Sequence, residues 1–355
     1  MTALADKRRP PQEQAQTLLA EVAAVLRRHG ARPLQERFFG TEEAVQQAAA
    51  LRPAAYGDLD DGVPPNLLVV PEGPTGALAG IQVHAIATDE TPTLLADGDQ
   101  PCGRMLAAGG LGYVALSGIT APEVGDRTQQ ARAIYDKALR LLRPLGGTMR
   151  SVARTWLWLG DILAWYDAFN AVRNGFFTEC GLIGPKARDT RLPASTGIGV
   201  GPAGEAGCAL DVIAMVGPEA GIRYYRSAGM QQSAYNYGSA FSRMASAATP
   251  AGTCVYVSGT AAIDEAGATA HIGDIQGQVK MTVDNVRACL RDLECTDDDV
   301  VHAIAYSKTP EVQALFDAEY AARMPWPCVS VLSDVCRDDL LFEIEATACP
   351  GVASE

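Results

Sequence analysis

The chain has 355 residues, of which 48% are hydrophobic, 20% charged and 6% aromatic, a composition that fits a folded globular protein and excludes a disordered tail or a fibre. Its 29 Lys and Arg stand against 42 Asp and Glu, a net charge of -13, and no basic cluster could neutralise a phosphate backbone, which argues against nucleic acid as a partner. The opening MTALADKRRPPQEQ has no apolar centre, and nowhere do about 18 uncharged apolar residues run together, so the reading is a cytoplasmic protein without signal peptide or membrane span.

In chain order the elements repeat. Residues 14–30 (QAQTLLAEVAAVLRRHG) have helical spacing and are followed by a strand (PLQERFF), a helix (EEAVQQAAALR) and two strands (NLLVV and AGIQVHAIA). The same order returns over 130–216 as QARAIYDKALRLLRPL, SVARTWLWL, WYDAFNAVRNGFF, STGIGVG and CALDVIAMV. It returns again over 278–348 as QVKMTVDNVRACLRDL, VVHAIAYSK, VQALFDAEYAARM, CVSVLSDV and LLFEIEATA. The second and third copies open on a strand ending in Ser-Gly, YVALSGI (113–119) and VYVSGTAAI (255–263), which the first lacks.

The closing strands align as QVHA from Gln82, DVIA from Asp211 and EIEA from Glu343, at nearly equal intervals. Segments 88–112 and 217–252, rich in Gly, Ala and polar residues, read as linkers or loops. Three units follow, 1–100 (degenerate), 101–225 and 226–355. Each has helices for one face of a small sheet and leaves the other face to be covered, which predicts an α+β fold closing into a pseudo-threefold barrel, with pockets between copies.

The nine cysteines are odd in number, form no C-x-x-C pair and read as reduced thiols. His29, His84, His271 and His302 are scattered, so no metal site is visible. Gly199, Gly201 and Gly204 fit G-x-G-x-x-G but lead into a strand, and a hairpin turn explains them better than a dinucleotide site.

The single unit resembles the Rid (YjgF) family of trimeric imine deaminases. The ordered combination ARTW (153–156), PASTGIG (193–199), FSR (241–243), GDIQGQVKMTVDN (273–285) and DDLLFEIEA (338–346) resembles the chorismatases. That resemblance implies cleavage of chorismate to pyruvate and either a hydroxybenzoate or a dihydroxycyclohexadienoate, without metal or organic cofactor. It also implies a role in secondary metabolism and a monomer, because pockets that lie between chains in a Rid trimer become internal. A Rid-like imine deaminase and a non-enzymatic small-molecule binder are the other readings. Against the deaminase, the position of that family's carboxylate-binding arginine is held here by Asn66, Ser195 and Trp326.

The resemblance implies that Glu343 is the acid protonating the enolpyruvyl methylene. By strand alternation Glu343 and Glu345 share one side, and carboxylates being seldom buried unpaired, the residues alone favour two solvated groups on an exposed face. Cys336 matches the cysteine of hydroxybenzoate-forming members, which favours 3-hydroxybenzoate; taken alone it is a small buried hydrophobe. The 4-hydroxy isomer and the diol are the alternatives, because QQSAYNYGSAFSR (231–243) has Tyr235 and Tyr237 where the best-known members carry Tyr-Gly-Pro-Arg.

Two substrate carboxylates call for arginine. Arg154, with Val152, Trp156 and Trp158 on its face by alternation, binds ligand or else stacks on indole and pairs with an acid. Arg243 matches the FSR motif and Gly197 lies within PASTGIG, while Arg223 and Arg226 are weaker candidates.

Overall fold

A computed structural model describes residues 1–6, 8–186, 189–229 and 231–351. The first sheet is built from β1 (Thr2–Leu4), β2 (Ala31–Gly40), β3 (Asn66–Val69) and β4 (Leu78–Ala87), backed by α1 (Pro11–Arg28) and α2 (Glu42–Tyr56). The second contains β5 (Thr93–Asp97), β6 (Gln100–Ala108), β7 (Leu111–Ile119), β8 (Val152–Leu159), β9 (Ala194–Ile198) and β11 (Cys208–Val216), with α3 (Arg127–Leu142) and α4 (Ile162–Glu179). Between β9 and β11, the two-residue β10 (Gly201–Pro202) crosses over to pair with β3 of the first sheet. The third comprises β12 (Ile222–Tyr225), β13 (Met244–Thr249), β14 (Gly252–Ala261), β15 (Val300–Ser307), β16 (Cys328–Leu332) and β17 (Phe342–Ala348), with α5 (Ile275–Asp292) and α6 (Pro310–Phe316).

Local sequence accounts for these elements. In α1 the buried Ala15, Leu18, Leu19, Val22, Ala23 and Leu26 form one helical stripe. Asp126 and Gln129 close a capping box at the start of α3, and the Asp274 carboxylate accepts from the Gly277 amide at 3.0 Å to open α5. The helix expected through Met324 is shorter, since a wide π-type turn over Asp317–Ala321 follows α6.

The strand orders are β1-β4-β2-β3-β10, β5-β6-β7-β11-β8-β9 and β12-β13-β14-β17-β15-β16. One apolar core, with Phe39, Trp156, Trp158, Tyr256 and Tyr306 among its members, lies where all three sheets face one another. Three further clusters fill the space between each sheet and its own helices. The α+β class and the threefold repetition therefore stand. The sheets meet through side chains, β10 and a few isolated backbone contacts such as the bridge of Ala194 to Ser242, and their ladders do not merge into one closed barrel among the described residues.

Two sequence expectations are corrected. Segments 88–112 and 217–252 are not linkers: they hold β5, β6, β12 and β13, which widen the second and third sheets and leave β5 and β12 at their edges, because short apolar runs there add to a free sheet edge. The glycine run 199–204 is a crossing between sheets, where its strand β10 pairs with β3, and no hairpin. In the first unit β1 supplies a three-residue stub opposite Gln82 in place of the missing opening strand.

The alignment of closing strands is also corrected, by two residues. Ser117-Gly118 bulges opposite Asp211, and Ser258-Gly259 bulges opposite Glu345. Across the sheets, Asn66–Arg37–Gln82, Thr196–Trp156–Asp211 and Val329–Ile304–Glu345 form matching rows. Glu345 is thus the counterpart of Gln82 and Asp211, and Glu343 corresponds to Gly80 and Ala209. Side chains repeat every second residue along a strand, so a slip of two keeps every acid on its face and is invisible in the pattern.

Candidate active site

The second and third units enclose a cavity of about 150 Å³. β9 and α4 form one wall and β14, β17 and the chain before β13 the other; Gly197, Tyr166 and Asn170 face Arg243, Cys336 and Glu343 across it. Glu343 is 5% exposed, and its carboxyl accepts no hydrogen bond from a described residue. Burial, and then the charge of Glu345, push its pKa up to about 8, against the pull of Arg243 and Arg154. The expectation of two solvated carboxylates is overturned, because this face of β17 abuts the second unit.

Glu345 is neutralised within the core. It accepts from Arg154 Nη2 at 2.8 Å and from Trp156 Nε1 at 2.5 Å. Arg154 also donates to Thr196 Oγ1 at 2.5 Å and lies 4.6 Å over the Trp156 ring. It thus takes the second of its two readings and does not line the cavity. Val152 faces the helices instead of sharing the side of Arg154, because the β8–β11 register shifts between the two residues.

Arg243, 2% exposed, lines the cavity. Its Nε donates to Gln232 O at 3.1 Å and its Nη2 to the Tyr237 hydroxyl, while Nη1 has no hydrogen bond to a described residue. Tyr237 lines the cavity too, its hydroxyl pKa raised by burial. Tyr235 instead packs against the core of the second unit, and Arg223 is exposed on the edge strand β12 beside the equally peripheral Arg226. None of these three lines the cavity: the Tyr235 ring turns into that core, and β12 runs along the outer edge of the third sheet.

Cys336 lies on the wall with its thiol pushed up to about 12 by burial and the charge of Glu343, which keeps the sulfur protonated. Arg337, its neighbour, was not singled out in the sequence. Its Nη1 donates to Gly267 O at 3.1 Å and to Thr269 Oγ1 at 3.4 Å, while Nε and Nη2 have no hydrogen bond to a described residue. Also missed were Tyr166 and Asn170, although with Arg173 they stand at helical spacing on one face of α4, a signal present in the sequence. Arg173 donates to Asn170 Oδ1 at 2.5 Å. Gly259 leaves the space Glu343 occupies: a Cβ there would lie 2.1 Å from Glu343 Oε1.

The equivalent junction of the first and second units carries no such acid. Asp211, in the row of Glu345, receives four donors: Arg37 Nε at 2.8 Å, Trp158 Nε1 at 3.1 Å, Asn66 Nδ2 at 2.9 Å and the Gly118 amide at 2.7 Å. Gln82 accepts from Arg37 Nη1 at 3.0 Å and donates to Ala303 O at 3.4 Å. Among the described residues no group of three metal-binding side chains occurs and no helix is long and apolar enough to cross a membrane.

Residues 239–349 match the family model described as Endoribonuclease L-PSP. A search of curated proteins finds no match. Among solved structures the chain is similar to a chorismatase, at 23% identity and TM-score 0.66, over 89% of this chain and 93% of that one. A putative endoribonuclease L-PSP from Entamoeba histolytica is matched at 19% identity and TM-score 0.31, over 36% of this chain and 98% of that one. The Rid-family protein YyfA of Yersinia pestis is matched at 18% identity and TM-score 0.29, over 36% and 98%. The chain therefore has the chorismatase fold.

Proposed function

We propose that this chain cleaves chorismate, with Glu343 protonating the terminal methylene of the enolpyruvyl ether to release pyruvate and leave a hydroxybenzoate. The observation that carries this reading is a carboxyl group kept protonated near neutral pH on the wall of a cavity that also holds the guanidinium groups of Arg243 and Arg337. An enol ether is stable until its methylene carbon gains a proton. The oxocarbenium ion so formed weakens the bond from oxygen to the ring. A general acid poised near the working pH is what this step requires.

The open donors of Arg243 and Arg337 suit the two substrate carboxylates. Arg154 acts at one remove in this reading. It holds Glu345 and the Thr196 hydroxyl, which accepts from the Gly259 amide at 3.0 Å beside Glu343. Substrate contact by Tyr237 and Gly197 belongs to the same proposal, and because the cavity is complete within one chain, the active species is a monomer. Light scattering at assay concentration is expected to give one chain's mass of 37.4 kDa.

The product follows from the atoms. Chorismate divides wholly into pyruvate and a hydroxybenzoate, whereas the diol incorporates one water. The protonated Cys336 thiol beside the ring favours collapse of an arene-oxide-like intermediate to 3-hydroxybenzoate over capture by water. Incubation with chorismate is expected to yield equimolar pyruvate and 3-hydroxybenzoate by chromatography. No pyruvate, or binding with stabilisation but no product, overturns the proposal, as does turnover of 2-aminoacrylate in its place.

Two variants extend this test. Cys336→Ala is expected to keep pyruvate release within about tenfold while moving most product away from 3-hydroxybenzoate, toward the diol labelled from heavy-oxygen water. Gly259→Ala must turn the Glu343 carboxyl aside, and is expected to lower turnover at least about tenfold with little change in thermal midpoint.

A further inference from the structure

A second cavity, of about 210 Å³, shares no lining residue with the first. It lies at one end of the common core, where His84, Tyr113 and His302 meet Cys254 and Cys349. The register of β14 against β17 pairs Val255 with Ala348 and Tyr256 with Thr347, which brings Cys254 opposite Cys349. Their sulfurs are 2.9 Å apart. Opposed residues of an antiparallel pair have Cα atoms about 4.5–5.5 Å apart, within the span of a disulfide, so the two sulfurs can bond without moving the backbone.

The two thiols are unequal. The hydrogen bond from Cys349 lowers the pKa of Cys254, and Thr249 Oγ1 lies 3.7 Å from the Cys254 sulfur. Cys349 is pushed up as the proton-holding partner. With the sulfurs in contact, Cys254, the more acidic of the two, is placed to attack and Cys349 to resolve. No other cysteine pair is in sulfur contact among the described residues, and Cys336 faces the first cavity as a protonated thiol.

We propose that Cys254 and Cys349 form a reversible, peroxide-oxidisable thiol pair at the second cavity, independent of the chorismate chemistry. The Cys254 thiolate attacks one oxygen of hydrogen peroxide. The O–O bond breaks, hydroxide leaves and takes up the proton Cys254 had released, and a sulfenic acid remains. The Cys349 sulfur then bonds to the Cys254 sulfur, its proton joining the departing hydroxyl as water. Two thiols and one peroxide become one disulfide and two waters, each sulfur giving up one electron.

The test treats the full-length protein with stoichiometric hydrogen peroxide, blocks free thiols with N-ethylmaleimide and reads intact mass and linked peptides. The expected result is an intact mass carrying two N-ethylmaleimide adducts fewer than the reduced control, a peptide joining Cys254 to Cys349, reversal by dithiothreitol, and a thermal midpoint a few degrees higher in the oxidised form. Cys254→Ser and Cys349→Ser, each made separately, are expected to lose the link. The wild-type peptide map decides the matter even if either variant folds poorly. Both cysteines recovered as blocked thiols, a link through any other cysteine, or oxidation of Cys254 beyond sulfenic acid without a link overturns the proposal.

Discussion

Glu343→Gln is expected to lower pyruvate release from chorismate by about 10²–10⁴-fold, the range a positioned general acid contributes. The amide keeps the shape of the side chain but has no proton of comparable acidity to give. In the proposed mechanism the wild type works through the protonated carboxyl, so with a pKa of about 8 in the folded protein its activity is expected to hold up to about neutral pH and to fall tenfold per unit well above pH 8. Full activity in Glu343→Gln, or a rate that rises through pH 9, would remove the proton donor from the mechanism.

The same group has a signed effect on stability. Its folded pKa is raised above the ordinary value of 4.5, so between the two the folded state holds a proton that the unfolded chain has lost. Its contribution to stability is therefore full below pH 4.5 and is lost as the pH rises toward 8. Gln does not titrate. Thermal unfolding is expected to show Glu343→Gln more stable than wild type at pH 8 and above, with the advantage shrinking as the pH is lowered to 5. A site that trades stability for a neutral acid shows this opposition of activity and melting temperature.

Asp211→Ala is expected to cost about 3–5 kcal/mol in denaturant unfolding, the price of removing one partner from a buried ion pair. Asp211 is 0% exposed and its removal strands the Arg37 guanidinium in the shared core, together with the Trp158 and Asn66 donors and the Gly118 amide. Arg37 also donates to Gln82 and Gln35 and lies 4.0 Å over the Trp156 ring, so the loss spreads across the junction of the first two units. Asp211→Asn keeps the volume and part of the hydrogen bonding and is expected to cost less. A loss below about 1 kcal/mol for Asp211→Ala would mean that the junction is held by apolar packing alone.

These acids, with Glu345, show how far the amino-acid pattern reaches. Alternation puts Glu343 and Glu345 on one side of their strand and leaves open whether that side is wet; only the fold buries it, together with Asp211. Alternation does not say which acid corresponds to which, because the Ser-Gly bulges on β7 and β14 shift the pairing and an even slip preserves the pattern. Arg154 and Arg243 look alike as arginines beside aromatic residues. Only the fold ties the first to Glu345 and turns the second, with Arg337, toward the cavity.

By itself the sequence determined the order of helices and strands within the repeated unit, their threefold recurrence and the shared side of Glu343 and Glu345 on β17. Each of these depends on periodicity within a single element or on recurrence along the chain. The tertiary structure decided the register between strands, the choice of arginines, and the burial that holds a proton on Glu343. Those depend on groups brought from distant positions, Gly197 and Tyr166 on one wall and Arg243 and Cys336 on the other. Solvent exclusion and electric field arise from the assembled neighbours and have no signature in local spacing.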